Sequence, residues 1–197
     1  MTHSRSRSLA LFVAAALLAL PAVAPAGDAP PPKRLNRSAT PAPGEKKLDW
    51  LAFDAASARA MSEGKHVIVD IYTNWCGWCK VMERETYGNP EVADYLTQNF
   101  VLAKVNGESS AKIHWKGKEL TERQFAREVG VTGFPATYFL KPDLELLGGV
   151  PGFIRAPEFM LMARYVNIKW YEKGKLADYI KEQRAAGGST PAASKTQ

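Results

Sequence analysis

The segment Trp75-Cys76-Gly77-Trp78-Cys79-Lys80 holds both cysteines of the chain, in a C-x-x-C spacing. Two thiols this close can shut into a disulfide and reopen, passing two electrons to or from another disulfide. The apolar, β-branched run His66-Val67-Ile68-Val69-Asp70-Ile71-Tyr72 precedes them and reads as a buried strand. Lys80-Val81-Met82-Glu83-Arg84-Glu85 follows, with good helix formers and no breaker. The cysteines therefore fall where a strand gives way to a helix. Free N–H groups and the partial positive charge at a helix start favour a thiolate over a thiol. Cys76 is the expected nucleophile, and Cys79, one turn further in, the resolving partner.

A purely structural disulfide is the competing reading. A four-residue loop contributes only about 2 kcal/mol in the chain-entropy model, against more than about 4 kcal/mol for a loop of about 70 residues. Such a bridge is a poor staple and a good switch. A zinc site would need four ligands, and beyond the leader the chain offers Cys76, Cys79, His66 and His114 without a matching spacing. No metal is expected, and no nicotinamide or flavin fingerprint is present, so no cofactor is expected either.

These residues need a scaffold. Asp49 is placed to cap a helix from Trp50 to Ser62, stopped by Gly64. After the redox turn a helix should run to about Tyr87. Gly88-Asn89-Pro90 breaks it, and a short helix runs from Pro90 to Asn99. Phe100–Val105 reads as a second buried strand. Thr121–Val129 reads as a helix opened by the capping pair Thr121 and Gln124 and ended by Gly130. Ala136–Leu140 and Leu144–Leu147 read as a hairpin, with bulges or turns at Gly148-Gly149 and Pro151-Gly152. A helix from Pro157 to about Tyr171 should carry Phe159, Met162, Ala163, Val166 and Trp170 inward, and a last helix spans Leu176–Arg184. The order fits a central mixed sheet with helices on both faces.

Three blocks in this order resemble the thioredoxin family: Val69-Asp70 through Lys80, Ala103-Lys104-Val105-Asn106, and Gly130-Val131-Thr132-Gly133-Phe134-Pro135-Ala136-Thr137. The resemblance covers roughly residues 48–170. It implies an α/β, thioredoxin-like three-layer sandwich, a central mixed β-sheet flanked by helices, here with an extra C-terminal helix. In family terms Cys76 is the exposed attacker and Cys79 the shielded resolver. Asp70 matches the buried Asp beneath the second cysteine; burial should raise its pKa and let it take the Cys79 proton. Lys104 matches the lysine beside that Asp. Pro135 matches a cis proline facing Cys76, where the Phe134 backbone could pair with an extended substrate strand. Trp75, Gly77, Trp78, Phe134 and Pro135 are the expected substrate contacts. Trp78 stands where the family commonly has proline, in the dipeptide that helps set the reduction potential. Residues 106–119 are longer than in a minimal thioredoxin by roughly a dozen residues. They are expected as a surface hairpin or loop with Trp115 packed back on the body, or else as a partner-binding flap.

Arg5 and Arg7, the apolar run Leu9–Leu20 and Ala24-Pro25-Ala26 form a Sec-type signal peptide pattern over residues 1–26. The apolar run is short of the roughly 20 residues needed to span a bilayer, so cleavage after Ala26 is expected. Residues 27–47 are rich in Pro and Ala and read as a flexible linker, 48–186 as the domain, and 187–197 as a disordered tail. The formal net charge of +6, two of it in the leader, is too modest for a nucleic-acid partner.

The expected function is a periplasmic, monomeric thiol–disulfide oxidoreductase that reduces client disulfides. It would be recharged by another protein, a membrane thiol-electron carrier. The alternatives are an oxidant or isomerase, a non-catalytic docking or chaperone module, and an assembly factor holding a metal between two thiolates.

Overall fold

A computed structural model describes residues 48–187. The expected leader, linker and tail beyond residue 187 lie outside the described residues. Helix α1 spans Phe53–Glu63, strand β1 His66–Tyr72, helix α2 Gly77–Met82, a π turn Glu83–Tyr87, helix α3 Pro90–Asn99 and strand β2 Phe100–Asn106. Strands β3 (Lys112–Trp115) and β4 (Lys118–Thr121), helix α4 (Glu122–Glu128), and strands β5 (Ala136–Leu140) and β6 (Leu146–Pro151) follow. Helix α5 spans Ala156–Asn167, a 3-10 turn Trp170–Glu172, and α6 Leu176–Ala185.

The central sheet has four strands in the order β2-β1-β5-β6. β1 runs parallel to β2 and antiparallel to β5, and β5 antiparallel to β6. The sheet is mixed, as the β-α-β-α-β-β order demands. Alternation along β1 sorts its side chains between two cores. Val67, Val69 and Ile71 pack with Phe53, Trp115 and Phe125 on the face covered by α1, the β3–β4 hairpin and α4. Ile68 packs with Met82, Tyr87, Leu96, Phe139 and Phe159 on the face covered by α2, the π turn, α3 and α5. Asp70, two residues after Ile68, points to that second face, beneath the redox helix.

Four local expectations are corrected. Asp49 caps nothing; α1 starts at Phe53, its N-cap is Ala52, and no side chain caps it. Leu51 instead bridges Ala103: its N–H donates to Leu102 O at 2.9 Å and its carbonyl accepts from Lys104 N at 3.0 Å. That pairing holds residue 51 extended and delays the helix. The helix after the cysteines closes as a π turn, with Gly88 N–H reaching Glu83 O at 2.9 Å. The hairpin's second strand begins at Leu146, because Leu144 adopts a left-handed φ of 67° inside the turn. Pairing then skips Leu147, from Leu140–Leu146 to Phe139–Gly148, a bulge beside the glycine pair, and continues through Gly149. Helix α5 ends at Asn167; Lys169, with φ 54°, breaks it, and Met160 is buried where Met162 and Trp170 are only half-buried.

The segment 106–119 forms most of a hairpin turned at Lys116-Gly117, both with positive φ. Trp115 is buried, edge-on to Phe125 at 5.1 Å, and donates to Leu144 O at 3.1 Å. The hairpin is thus anchored to the body as the first of its two readings has it.

Candidate active site

β1 delivers the chain into the turn Thr73–Trp75, and α2 opens immediately after Cys76. Cys76 is the N-cap, extended at φ −66° and ψ 105°, and its Sγ accepts the Cys79 N–H at 3.0 Å. Its own N–H donates to Thr73 O at 3.2 Å. The two cysteines are disulfide-bonded, with Cα atoms 5.3 Å apart. A sulfur at this position meets a backbone donor whether it is bridged or ionised.

The exposure ranking of the two cysteines is the reverse of the expected one. Cys76 is only 3% exposed, whereas Cys79 is partly open. Cys76 folds its sulfur back over the first turn toward the Cys79 amide. The exposed positions on either side go to Trp75, 68% exposed, and Trp78, 61% exposed. Cys79 owes its opening to a cleft of about 180 Å³ lined by Asp70, Tyr72, Thr73, Asn74, Cys79, Lys80, Glu83 and Lys104.

Sheet register builds the floor of this cleft. Asp70 pairs with Lys104 on β2 and with Thr137 on β5, so three polar side chains stand side by side on one rung. Asp70 is buried, and burial pushes its pKa from 3.8 up to about 6 against the opposing pull of Lys104 and a Tyr87 hydrogen bond. Lys104 Nζ lies 3.9 Å from Asp70 Oδ2 and 3.1 Å from Glu83 Oε1. It also sits over the rings of Trp50 at 5.5 Å and Tyr72 at 5.2 Å. Glu83 holds the lysine more closely than Asp70 does, which leaves the buried carboxyl short of positive charge. Thr73 Oγ1 is buried on the cleft wall without a hydrogen-bond partner in the structure.

The rim is aromatic. Phe134-Pro135 is a cis peptide, and Pro135 O accepts from Gly152 N at 2.7 Å. The Trp75 ring meets Phe134 edge-on at 6.0 Å, and Trp78 leans on Phe153 at 5.6 Å. The proline loop and the redox turn are therefore neighbours, joined through these rings. Gly107 makes room for Phe134: a Cβ there would stand 2.5 Å from the ring. Gly77 opens α2 on the exposed side, with no atom within 4 Å of the place a Cβ would take.

Glu83, Tyr87, Thr73 and Glu108 belong to this constellation but are not singled out by the sequence reading. Glu83 and Tyr87 follow Cys79 at four-residue steps, a spacing that puts them on the helix side facing Asp70. Glu108, which accepts the Trp75 indole N–H at 3.0 Å, carries no such periodic signal. His66 and His114 stand apart, His66 bonded to Tyr171 at 2.9 Å and His114 to Asp54 at 2.9 Å. Among the described residues no three His, Cys, Asp or Glu side chains gather as a metal site.

The model of the thioredoxin-like domain matches residues 53–167. Among curated relatives, the thiol:disulfide interchange protein DsbD of Pseudoalteromonas atlantica is 28% identical over 123 residues, 61% of this chain and 19% of the relative. The DsbD of Cronobacter sakazakii is 31% identical over 109 residues, 54% of this chain and 17% of the relative. The chain spans about a fifth of the length of these relatives. Among solved structures, a thioredoxin from Thermus thermophilus superposes with a TM-score of 0.51 at 27% identity, covering 62% of this chain and 88% of that one. A thioredoxin-fold protein from Helicobacter pylori shares the fold at a TM-score of 0.53 and 19% identity, covering 63% and 87%. With its C-x-x-C pair at the head of α2, on a mixed sheet sandwiched between helices, the chain belongs to the thioredoxin-like family of thiol–disulfide oxidoreductases.

Proposed function

We propose that this chain is a periplasmic thiol–disulfide oxidoreductase that reduces disulfides of client proteins. The observation that carries the mechanism is the cleft shared by Cys79 and Asp70. In the reduced protein Cys76 is the thiolate, stabilised by its cap position. It attacks one sulfur of a client disulfide; that S–S bond breaks, a Cys76–client disulfide forms, and the other client sulfur leaves as a thiolate. Asp70, whose value of about 6 lies near neutrality, then accepts the Cys79 proton directly or through water in the cleft. The Cys79 thiolate attacks Cys76 Sγ, releases the second client thiolate and leaves the Cys76–Cys79 bridge. Lys104 favours the charged form of Asp70 that precedes this transfer.

Trp75, Gly77, Trp78, Phe134 and Pro135 are the proposed client contacts. Exposed aromatic rings beside a nearly sealed sulfur suit an apolar client strand that is pressed over Cys76. The cycle consumes two electrons, for which we propose a membrane thiol carrier as donor. The reductive direction rests on the buried Asp70 and the Trp75–Lys80 frame, as in the thioredoxin resemblance, and export rests on the leader pattern at residues 1–26. Among the described residues no helix is long and apolar enough to cross a membrane. The unit we assign to this activity is a single, monomeric domain over residues 48–186.

An insulin-reduction assay with dithiothreitol tests the reading. Turnover that Cys76→Ser abolishes, and mixed disulfides that Cys79→Ala traps from a periplasmic extract, are the expected results. A wild-type protein without turnover, whose bridge also resists glutathione, refutes it in favour of a docking module.

A further inference from the structure

Tyr87 is a buried titratable group that the exchange steps above do not use. It ends the π turn and is 2% exposed. Its ring is fixed edge-on against Trp50 at 4.9 Å and Phe159 at 5.4 Å. So placed, its hydroxyl meets two groups, Asp70 Oδ1 at 3.3 Å and Thr137 Oγ1 at 3.2 Å.

We propose that Tyr87 is a positioning residue of the exchange reaction, its hydroxyl orienting the Asp70 carboxyl and holding the charged form that is to receive the Cys79 proton. The proposal rests on the reading of Asp70 as the base for Cys79. A phenol has one hydrogen to give, and a carboxylate can only accept. Thr137 can give its own hydrogen to the phenol oxygen. The self-consistent chain is therefore Thr137 to Tyr87 to Asp70. Both threonine and aspartate come from one rung of the sheet, so the tyrosine spans neighbours whose spacing β1–β5 pairing fixes. Burial drives the Tyr87 pKa well above 10, so it remains a donor across the working range.

The two oxygens of Asp70 are thereby distinguished. Oδ1 faces Tyr87, and Oδ2 faces Lys104 at 3.9 Å. The other groups around the carboxyl are Glu83 from the π turn, and Cys79 and Lys80 from α2, which line the same cleft. Glu83 holds Lys104 at the shorter distance of 3.1 Å, which leaves Tyr87 as the closer contact of the buried carboxyl. The widened π turn supports both jobs: Glu83 and Tyr87, four residues apart, take Lys104 and Asp70 respectively.

Tyr87→Phe keeps the ring and removes the hydroxyl. In the oxidised full-length protein, carbon-13 NMR follows the Asp70 carboxyl, assigned by its loss in Asp70→Asn. The Asp70 midpoint should rise by about one pH unit in Tyr87→Phe. The pH limb of client release from the Cys76 mixed disulfide should move in the same direction by the same amount. An unchanged midpoint in a Tyr87→Phe protein with native near-ultraviolet dichroism overturns the proposal. If Tyr87→Phe does not fold, Thr137→Val removes the outer donor instead; a smaller upward shift supports the chain, and none overturns it. A release limb lost in Asp70→Asn but unmoved in Tyr87→Phe overturns the positioning role alone. A limb that survives Asp70→Asn overturns the reading of Asp70 as the base, and the proposal with it.

Discussion

The Trp75 indole nitrogen donates to Glu108 Oε2 at 3.0 Å, tying the redox turn to the loop that follows β2. The backbone of that loop is independently held, since Arg123 donates two bonds to the Glu108 carbonyl. The glutamate side chain therefore orients the tryptophan without being needed for the loop. Glu108→Ala is expected to raise KM for a protein disulfide about 2- to 10-fold, the equivalent of one hydrogen bond, with kcat unchanged. Steady-state kinetics with reduced protein measure this. An unchanged KM would mean that Trp75 orientation is irrelevant to client capture.

Asp70 destabilises the fold at neutral pH. Its native value of about 6 exceeds the ordinary 3.8, so the native state binds the proton more tightly than the unfolded chain. Stability is accordingly lost as pH rises between those two values, by about 3 kcal/mol in all. Asp70→Asn should be more stable than wild type by up to about 3 kcal/mol near pH 7.5, with the difference vanishing near pH 3.5. Urea unfolding of the oxidised proteins at the two pH values gives the comparison. A constant difference would exclude Asp70 as the titrating group.

Gly107 is required by contact and not by its backbone angle. A Cβ would come within 2.5 Å of one Phe134 ring carbon and 2.7 Å of another. Gly107→Ala should push the ring out of place, costing about 1–3 kcal/mol in overpacking. Because Phe134 meets Trp75 at 6.0 Å, client KM should rise as well. Equal urea midpoints for the two proteins would show that the ring moves freely.

Trp115 anchors the hairpin through one ring and one hydrogen bond. Trp115→Phe keeps most of the buried ring but leaves the Leu144 carbonyl without its donor. The expected loss is about 1–3 kcal/mol of stability with insulin reduction unchanged per folded molecule. A fall in turnover with no loss of stability would instead make the hairpin part of the client surface.

Strand and helix identities were readable because their signals are local: apolar alternation in β1, Pro90 after Asn89 at α3, and the reciprocal Thr121–Gln124 cap at α4. The failures came where distant chain segments overrule local preference. Asp49 has the chemistry of a cap, yet pairing of Leu51 with Ala103 keeps the backbone extended past it. The motif named both sulfurs, but the resemblance ranked their exposure the wrong way round, because exposure depends on how Trp75, Trp78 and the cap geometry share the turn. Glu83 and Tyr87 were within reach of a helical-face argument from Cys79. Glu108 was not, since only the folded loop brings it to Trp75.

The rung formed by Lys104, Asp70 and Thr137 has a consequence for transplanting this chemistry. The six residues around the sulfurs travel as one short peptide, but their proton acceptor is specified by strand alignment. Sliding β2 or β5 by one position would offer Ala103, Val105, Ala136 or Tyr138 in place of the polar neighbours, and turn them toward the opposite core. A graft of Trp75–Lys80 onto a foreign sheet would thus yield a bridge that opens and closes sluggishly until its host supplied a matching crossbar.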